Sequence, residues 1–317
     1  MILDFIRDNL DGDAWERWCD DCYRDRYQAQ HYIKVPADFL GDAGIEGYTL
    51  SGVAYQCYCP ERNYNDEELY THLRDKVTRD IGKLINKDNA KRLKALGVPA
   101  IREWHFVIPE YKDKRIVEHL ESKRKEIVAA ITTDPSTFSY IDPQIRLIPK
   151  VAEDFKVEFV RLIRNPLVDI KLNTAVKSIS NIDWTTCSAE KTENISRKLK
   201  AIMHTDDDDS DFKDMLAFWS EAYLKGIEIM NSLQESFGTI YEELFDLEQQ
   251  YKKDVYMRSR LNSDHSLNNE IFESILREFE DTIRAQFSCF SEPSIKELRR
   301  DLVSGWLADC SLQFKVG

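Results

Sequence analysis

With 317 residues, 42% hydrophobic and 32% charged, the chain has the make-up of an ordinary globular protein and length enough for two domains. Its formal net charge of −13 argues against non-specific coating of nucleic acid, yet leaves room for a local basic groove, because binding responds to the nearby field. No stretch approaches the roughly 18 uncharged apolar residues of a membrane span. Residues 1–8 mix charges with apolar positions and the seven cysteines are scattered, as suits reduced thiols, so a cytoplasmic protein without membrane contact is expected.

The first third alternates helix and strand. Residues 14–26 read as a helix, with Trp15, Trp18, Cys19 and Cys22 at i, i+3, i+4 and i+7 and Asp13 as its cap. Residues 31–35 and 53–58 are β-prone, ended by Pro36 and Pro60. Between them the turn Gly41-Asp42-Ala43-Gly44-Ile45-Glu46-Gly47 leads into a strand at Tyr48. A helix over 66–85 carries the stripe Leu69, Leu73, Val77, Ile81 and Leu84. A strand over 101–108 and a helix over 115–131 follow, giving the order α-β-β-β-α-β-α. Residues 145–163 read as a strand and a helix starting near 151, and 178–193 as a polar linker. Beyond it, faces marked by Phe212 to Met230, Ile240 to Val255, Ile271 to Phe287 and Ile295 to Trp306 predict a helical bundle. The expected organisation is an α/β domain over 1–135 and a mainly helical domain over 136–317, serving as scaffold, partner-binding surface or oligomerisation unit.

Hydrolysing a phosphodiester at neutral pH calls for a hard cation that polarises the phosphoryl oxygen and acidifies water. Magnesium takes oxygen ligands, and two adjacent strands presenting acid and amide side chains to one face can supply them. Glu16, Asp42, Glu46 and Gln56 fit that arrangement in order and spacing. Strand alternation puts Gln56 and Tyr58 on one face, with Cys57 and Cys59 on the other.

The set Trp15-Glu16, Gly41-Asp42-x-Gly44-Ile45-Glu46-Gly47 and Tyr55-Gln56-x-Tyr58 resembles the PD-(D/E)XK restriction-endonuclease-like superfamily, closest to the methyl-directed type IV branch. The resemblance covers about the first 130 residues, and α-β-β-β-α-β is that superfamily's core order. It implies a metal-dependent nuclease acting on DNA as an effector or subunit of a prokaryotic defence system. Glu16 would match the helix carboxylate, Glu46 the strand carboxylate and Gln56 the amide of the last motif. Glu46, Gln56 and Asp42 would hold Mg2+ or Mn2+. Two positions depart from the pattern. Glu46 stands where the branch carries Asp, and Tyr58 replaces the lysine. A phenol with an ordinary pKa near ~10 supplies no positive charge at pH 7. Lys76 or Lys83, seven residues apart on the following helix, would have to substitute. The plain alternative is a tight turn whose glycines serve geometry alone.

Other features have bland readings beside the functional ones. Arg74, Arg79, Lys87 and Lys91 belong to a basic run suited to phosphate contact, or to a solvated helix face balanced by Asp75, Asp80 and Asp88. The pairs Cys19/Cys22 and Cys57/Cys59 are expected as buried thiols rather than a zinc site. The run Asp206 to Asp209 is expected as a solvated loop favouring the following helix. A second reading of the whole is a nuclease-derived scaffold that binds a partner protein or nucleic acid without cutting.

Overall fold

The computed structural model describes residues 2–6, 10–36, 41–60, 64–165, 168, 171–174, 188–309 and 314. In chain order the helices and strands are α1 (Ile2–Ile6), α2 (Gly12–Arg26), β1 (Tyr32–Lys34), β2 (Gly47–Thr49), β3 (Val53–Cys57), α3 (Asp66–Leu84), α4 (Lys87–Ala95), β4 (Ile101–Val107), α5 (Arg115–Thr133), β5 (Ile141–Lys150), α6 (Lys156–Ile163), α7 (Ala189–Met203), α8 (Ser210–Ser236), α9 (Gly238–Leu261), α10 (Asn268–Gln286) and α11 (Glu292–Asp309). The chain divides into two compact units. One comprises residues 7–162 with Ile2; the other comprises 3–6 and 163–317.

In the first unit five strands make one mixed sheet in the order β1-β2-β3-β4-β5. The β1-β2 and β2-β3 pairs are antiparallel, whereas β3-β4 and β4-β5 are parallel. Parallel neighbours joined by crossover helices are covered on both faces. Accordingly Trp104, Phe106, Val107 and His105 of β4 are all buried. One face of the sheet packs Ala54, Trp104 and Phe106 on Leu73, Val77, Ile81 and Leu84 of α3 and on Ile116, Leu120 and Ile127 of α5. The other receives α2. Trp15 donates its indole N–H to the Val107 carbonyl (3.2 Å), and Tyr23 stacks on Tyr55 at 3.9 Å between ring centres. Trp18 meets Phe155 and Phe159 edge-on. Buried His105 is held between the Tyr23 hydroxyl (2.7 Å) and Glu103 (3.0 Å). Burial pushes it down to about 4, so it is a neutral structural imidazole at pH 7.

The expected order α-β-β-β-α-β-α is present, with three corrections. The α2 cap is Asp11, whose carboxylate accepts from the Ala14 N–H (2.7 Å); Asp13 lies inside the first turn. A short helix, α4, follows α3 after Asn86, which caps it by accepting from Asp88 and Asn89. The α/β unit does not stop at residue 135. β5 adds a fifth strand, and Pro143 and Pro149 are tolerated there because it is the sheet's edge.

The second unit is helical. α7, α8, α10 and α11 bury Ile195, Leu199, Trp219, Phe272, Phe279, Leu298 and Trp306 in one core. Phe279 meets Trp306 edge-on at 4.8 Å. Lys198, though buried, donates to the Trp306 and Leu307 carbonyls (3.0 and 2.7 Å) near the end of α11, where carbonyls lack helix partners. The expected linker over 178–193 lies outside the described residues as far as 187, and α7 begins within its remainder. Among the described residues no helix is long and apolar enough to cross a membrane.

Candidate active site

The glycine turn brings an acid to the strand that carries the amide. The Glu46 N–H donates to the Tyr55 carbonyl (2.8 Å) and its own carbonyl accepts from Val35 (2.7 Å), so Glu46 is held between β1 and β3 one residue ahead of β2. Its side chain then meets the next residue of β3: Gln56 Nε2 donates to Glu46 Oε1 at 2.5 Å. Glu46 is 7% exposed and Gln56 is fully buried, and Gln56 Oε1 has no hydrogen-bond partner among the described residues. A buried, unsatisfied acceptor beside a buried carboxylate is costly unless something else occupies the spot.

The third contributor is α3, started by a capping box between Asn65 and Glu68. Lys76, Asp80 and Lys83 fall at i, i+4 and i+7, on one side of the helix. Asp80 is completely buried, with Lys76 Nζ 2.8 Å from Oδ2 and Lys83 Nζ 3.2 Å from Oδ1. Neither oxygen takes a well-directed hydrogen bond, so charge, more than hydrogen-bond geometry, holds the trio. Lys83 also donates to both Asp42 oxygens (2.9 and 3.3 Å), and Asp42 Oδ1 accepts from the Gly44 N–H (3.1 Å). Lys83 thus bridges α3 to the turn.

The charges shift one another. Burial works to raise Asp42, but the Lys83 ammonium and the Gly44 N–H outweigh it and hold the carboxyl below its usual range. Burial likewise works against the charged form of Lys83, and the pairing with Asp42 and Asp80 prevails, raising it. Glu46 goes the other way. Burial, reinforced by the negative charges of Glu16 and Asp42, pushes it up to about 7 against the pull of Lys76 and Gln56. The Lys76 ammonium of α3 is among the charges that act on Glu46. Glu16 stands at the rim, half-exposed, 3.4 Å from Lys34 Nζ.

The Glu46 carboxyl, once ionised, and the unsatisfied Gln56 Oε1 are hard oxygen donors of the kind a cation takes. Among the described residues, no three His, Cys, Asp or Glu side chains converge into a protein-only metal shell. Magnesium commonly takes only one or two carboxylates with water and substrate oxygens completing its sphere, so this donor set suits it. Asp42 is committed to Lys83, so the oxygens that could hold a cation are those of Glu46 and Gln56.

The remaining candidates are placed as follows. Tyr58 packs against the apolar cluster beneath α3, half-buried. Arg74 is paired with Asp75 (2.7 Å), Lys87 with Asp134 (3.6 Å) and Lys91 with Asp88 (3.2 Å), whereas Arg79 is exposed without an ion-pair partner among the described residues. Cys19, Cys22 and Cys57 are buried free thiols, Cys59 is half-buried, and burial pushes both members of the Cys19/Cys22 pair well up. Asp209 caps α8 by accepting from Asp211 and Phe212, and Asp207 pairs with Lys200 (2.6 Å). Asp80 is the residue that sequence reasoning misplaced, as a solvated counter-charge. Its spacing held the signal: it lies three residues after Val77 and four before Leu84, inside the buried stripe. No family model, curated protein or solved structure matches the chain.

Proposed function

We propose that the α/β unit is a metal-dependent nuclease of the PD-(D/E)XK type, acting on DNA in the cytoplasm as part of an anti-phage defence system. The observation that carries this reading is the buried contact of Glu46, one residue ahead of β2, with Gln56 of β3, within the field of the Lys76 ammonium of α3. The element order through α2, the three strands, α3 and β4 supports it. Mg2+ or Mn2+ bound by Glu46 and Gln56 would supply Lewis-acid polarisation of the phosphoryl group and an acidified attacking water. Ionised Glu46 and the Gln56 carbonyl oxygen would be its protein ligands. Lys76 offsets negative charge developing on the phosphoryl oxygens, the task for which Tyr58 lacks a charge. Asp80 fixes the Lys76 ammonium, and Lys83 holds the turn through Asp42. Glu16 at the rim accepts a proton or orients water. Arg79 meets the backbone phosphates of the nucleic acid.

The test is cleavage of plasmid DNA and of single-stranded RNA with Mg2+ or Mn2+. Wild-type protein is expected to cut DNA. Lys76→Met is expected to lose about 10²–10³-fold in rate, the usual cost of removing one donor to a developing negative charge. Lys83→Met, acting through the turn, is expected to lose less. Equal rates in wild type and Lys76→Met would remove Lys76 from the mechanism.

A second reading rests on Tyr58 and on the engagement of both lysines by buried acids: a nuclease-derived scaffold that binds nucleic acid or a partner protein without cutting, with the helical unit as partner-binding or self-associating surface. Binding of DNA without cleavage under either metal decides for it.

A further inference from the structure

The helical unit contains a cleft of about 250 Å³ between α8, α9 and α11, unconnected with the chemistry above. Two glycines shape it. At Gly226 a Cβ would stand 2.6 Å from the Asp301 carbonyl, so α8 approaches α11 more closely than any side chain allows. Gly305 lies one turn further along α11, with Glu248 Oε1 3.6 Å from where its Cβ would be. Tyr223, Ile227, Met230, Tyr241 and Phe245 form apolar and aromatic walls, and Phe245 is 40% exposed at the mouth.

The same cleft is lined by three carboxylates and one ammonium. Glu248 is paired with Lys252 (2.8 Å), and Asp309 accepts from the Tyr223 hydroxyl (3.2 Å) and pairs with Lys191 (2.5 Å). Asp301 differs. It is 2% exposed; Arg300 Nε reaches only its Oδ1 (2.6 Å), and Oδ2 has no hydrogen-bond partner among the described residues. Burial dominates there and holds the carboxyl up at about 6 despite Arg300. A buried carboxylate oxygen left unpaired is costly, and a hydrogen-bond donor that reached it would remove that cost. Aromatic faces beside it attract the same kind of group.

We propose that this cleft is a binding site for a small organic cation, an ammonium or guanidinium group on a short apolar body, with Asp301 as its counter-charge and the Tyr241 and Phe245 rings as its walls. A volume of about 250 Å³ admits a molecule of that size and no folded segment.

The experiment follows the Met230 methyl signal in the full chain, labelled at its methionine methyls. Agmatine and phenethylamine are titrated in turn, with 2-phenylethanol as the uncharged comparator and a capped Gly-Arg-Gly peptide as the alternative carrier of a guanidinium. At least one of the two cations is expected to give a saturable shift. Binding should weaken by roughly tenfold or more in Asp301→Asn, and 2-phenylethanol should bind correspondingly worse than phenethylamine. Glu248→Gln, which lowers the negative charge from α9, provides the second variant should Asp301→Asn not fold, and is expected to weaken binding as well. Absence of a saturable shift with both cations overturns the proposal. So does equal binding of the uncharged comparator, or undiminished binding in the folded variants. Binding of the peptide alone overturns the small-molecule assignment in favour of a peptide partner.

Discussion

Glu46→Gln should abolish metal-dependent cleavage and, at the same time, make the protein more stable above pH 7. The two effects have one cause. Burial together with Glu16 and Asp42 raises the Glu46 carboxyl from its ordinary 4.5 to about 7 in the folded chain. Between those two values the folded state holds a proton that the unfolded state has lost, so stability falls as pH rises through that window. Above it the full penalty for a buried, ionised Glu46 is present, about 3 kcal/mol from a shift of this size. Glutamine keeps the shape and the contact with Gln56 and removes the charge. The variant should therefore show a flatter stability profile from pH 5 to 8 and a higher Tm at pH 8. Mg2+ or Mn2+ should raise the wild-type Tm at pH 8, because a ligand bound only by the folded state stabilises it, and should leave the variant unmoved. Cleavage should fall by about 10²–10³-fold or more through loss of the charged ligand. A variant that is less stable than wild type at pH 8, or that still responds to the metal, would show that Glu46 is an ordinary structural carboxylate.

The parts of this molecule that were legible in the sequence are those where side-chain periodicity reports burial directly. The stripe of α3 and the Trp15, Trp18, Cys19, Cys22 face of α2 are seen as read, and so are the four long helices after α7. The strand read from Ile145 is the second part of β5; its start at Ile141 was missed because an edge strand buries only part of its length, so prolines and charges interrupt the pattern that marks a central strand such as β4. Within the site, Gln56 could be given a face because it lies on β3, where alternation fixes it, and Glu46 was singled out by its place at the end of the glycine turn, one residue ahead of β2. Asp80 was not. Its place inside the buried stripe pointed to burial, but a carboxylate four residues after a lysine usually signals a solvated pair, and that reading prevailed. Asp42 was read as a metal ligand because of its place in the motif, and its bond to Lys83 depends on a separation of 41 residues that no local pattern shows.

The packing of that turn is where a single methyl group should do the most damage. Gly44 has φ +86°, a conformation that side chains disfavour, and a Cβ there would stand 2.4 Å from the Asp80 carbonyl and 3.1 Å from the Leu84 nitrogen. Nothing nearby can yield. The obstructing atoms belong to the backbone of α3, while Gly44 itself is tied by its N–H to Asp42 and by its carbonyl to the Trp104 indole (3.0 Å). Gly44→Ala should cost about 2–5 kcal/mol, adding left-handed strain to overpacking. The Tm should fall by on the order of 10 °C. Gly41 separates the two contributions. It has φ +78°, and nothing lies within 4 Å of where its Cβ would be. Gly41→Ala should therefore register only the conformational cost, about 1–2 kcal/mol. Because the turn carries Asp42 and Glu46 and α3 carries Lys76, Asp80 and Lys83, prising them apart should also suppress cleavage in whatever Gly44→Ala protein remains folded, while Gly41→Ala keeps the contacts and its activity. Equal losses of Tm in the two variants would mean that the turn does not rest on α3, and the lysines would then have no fixed position relative to Glu46.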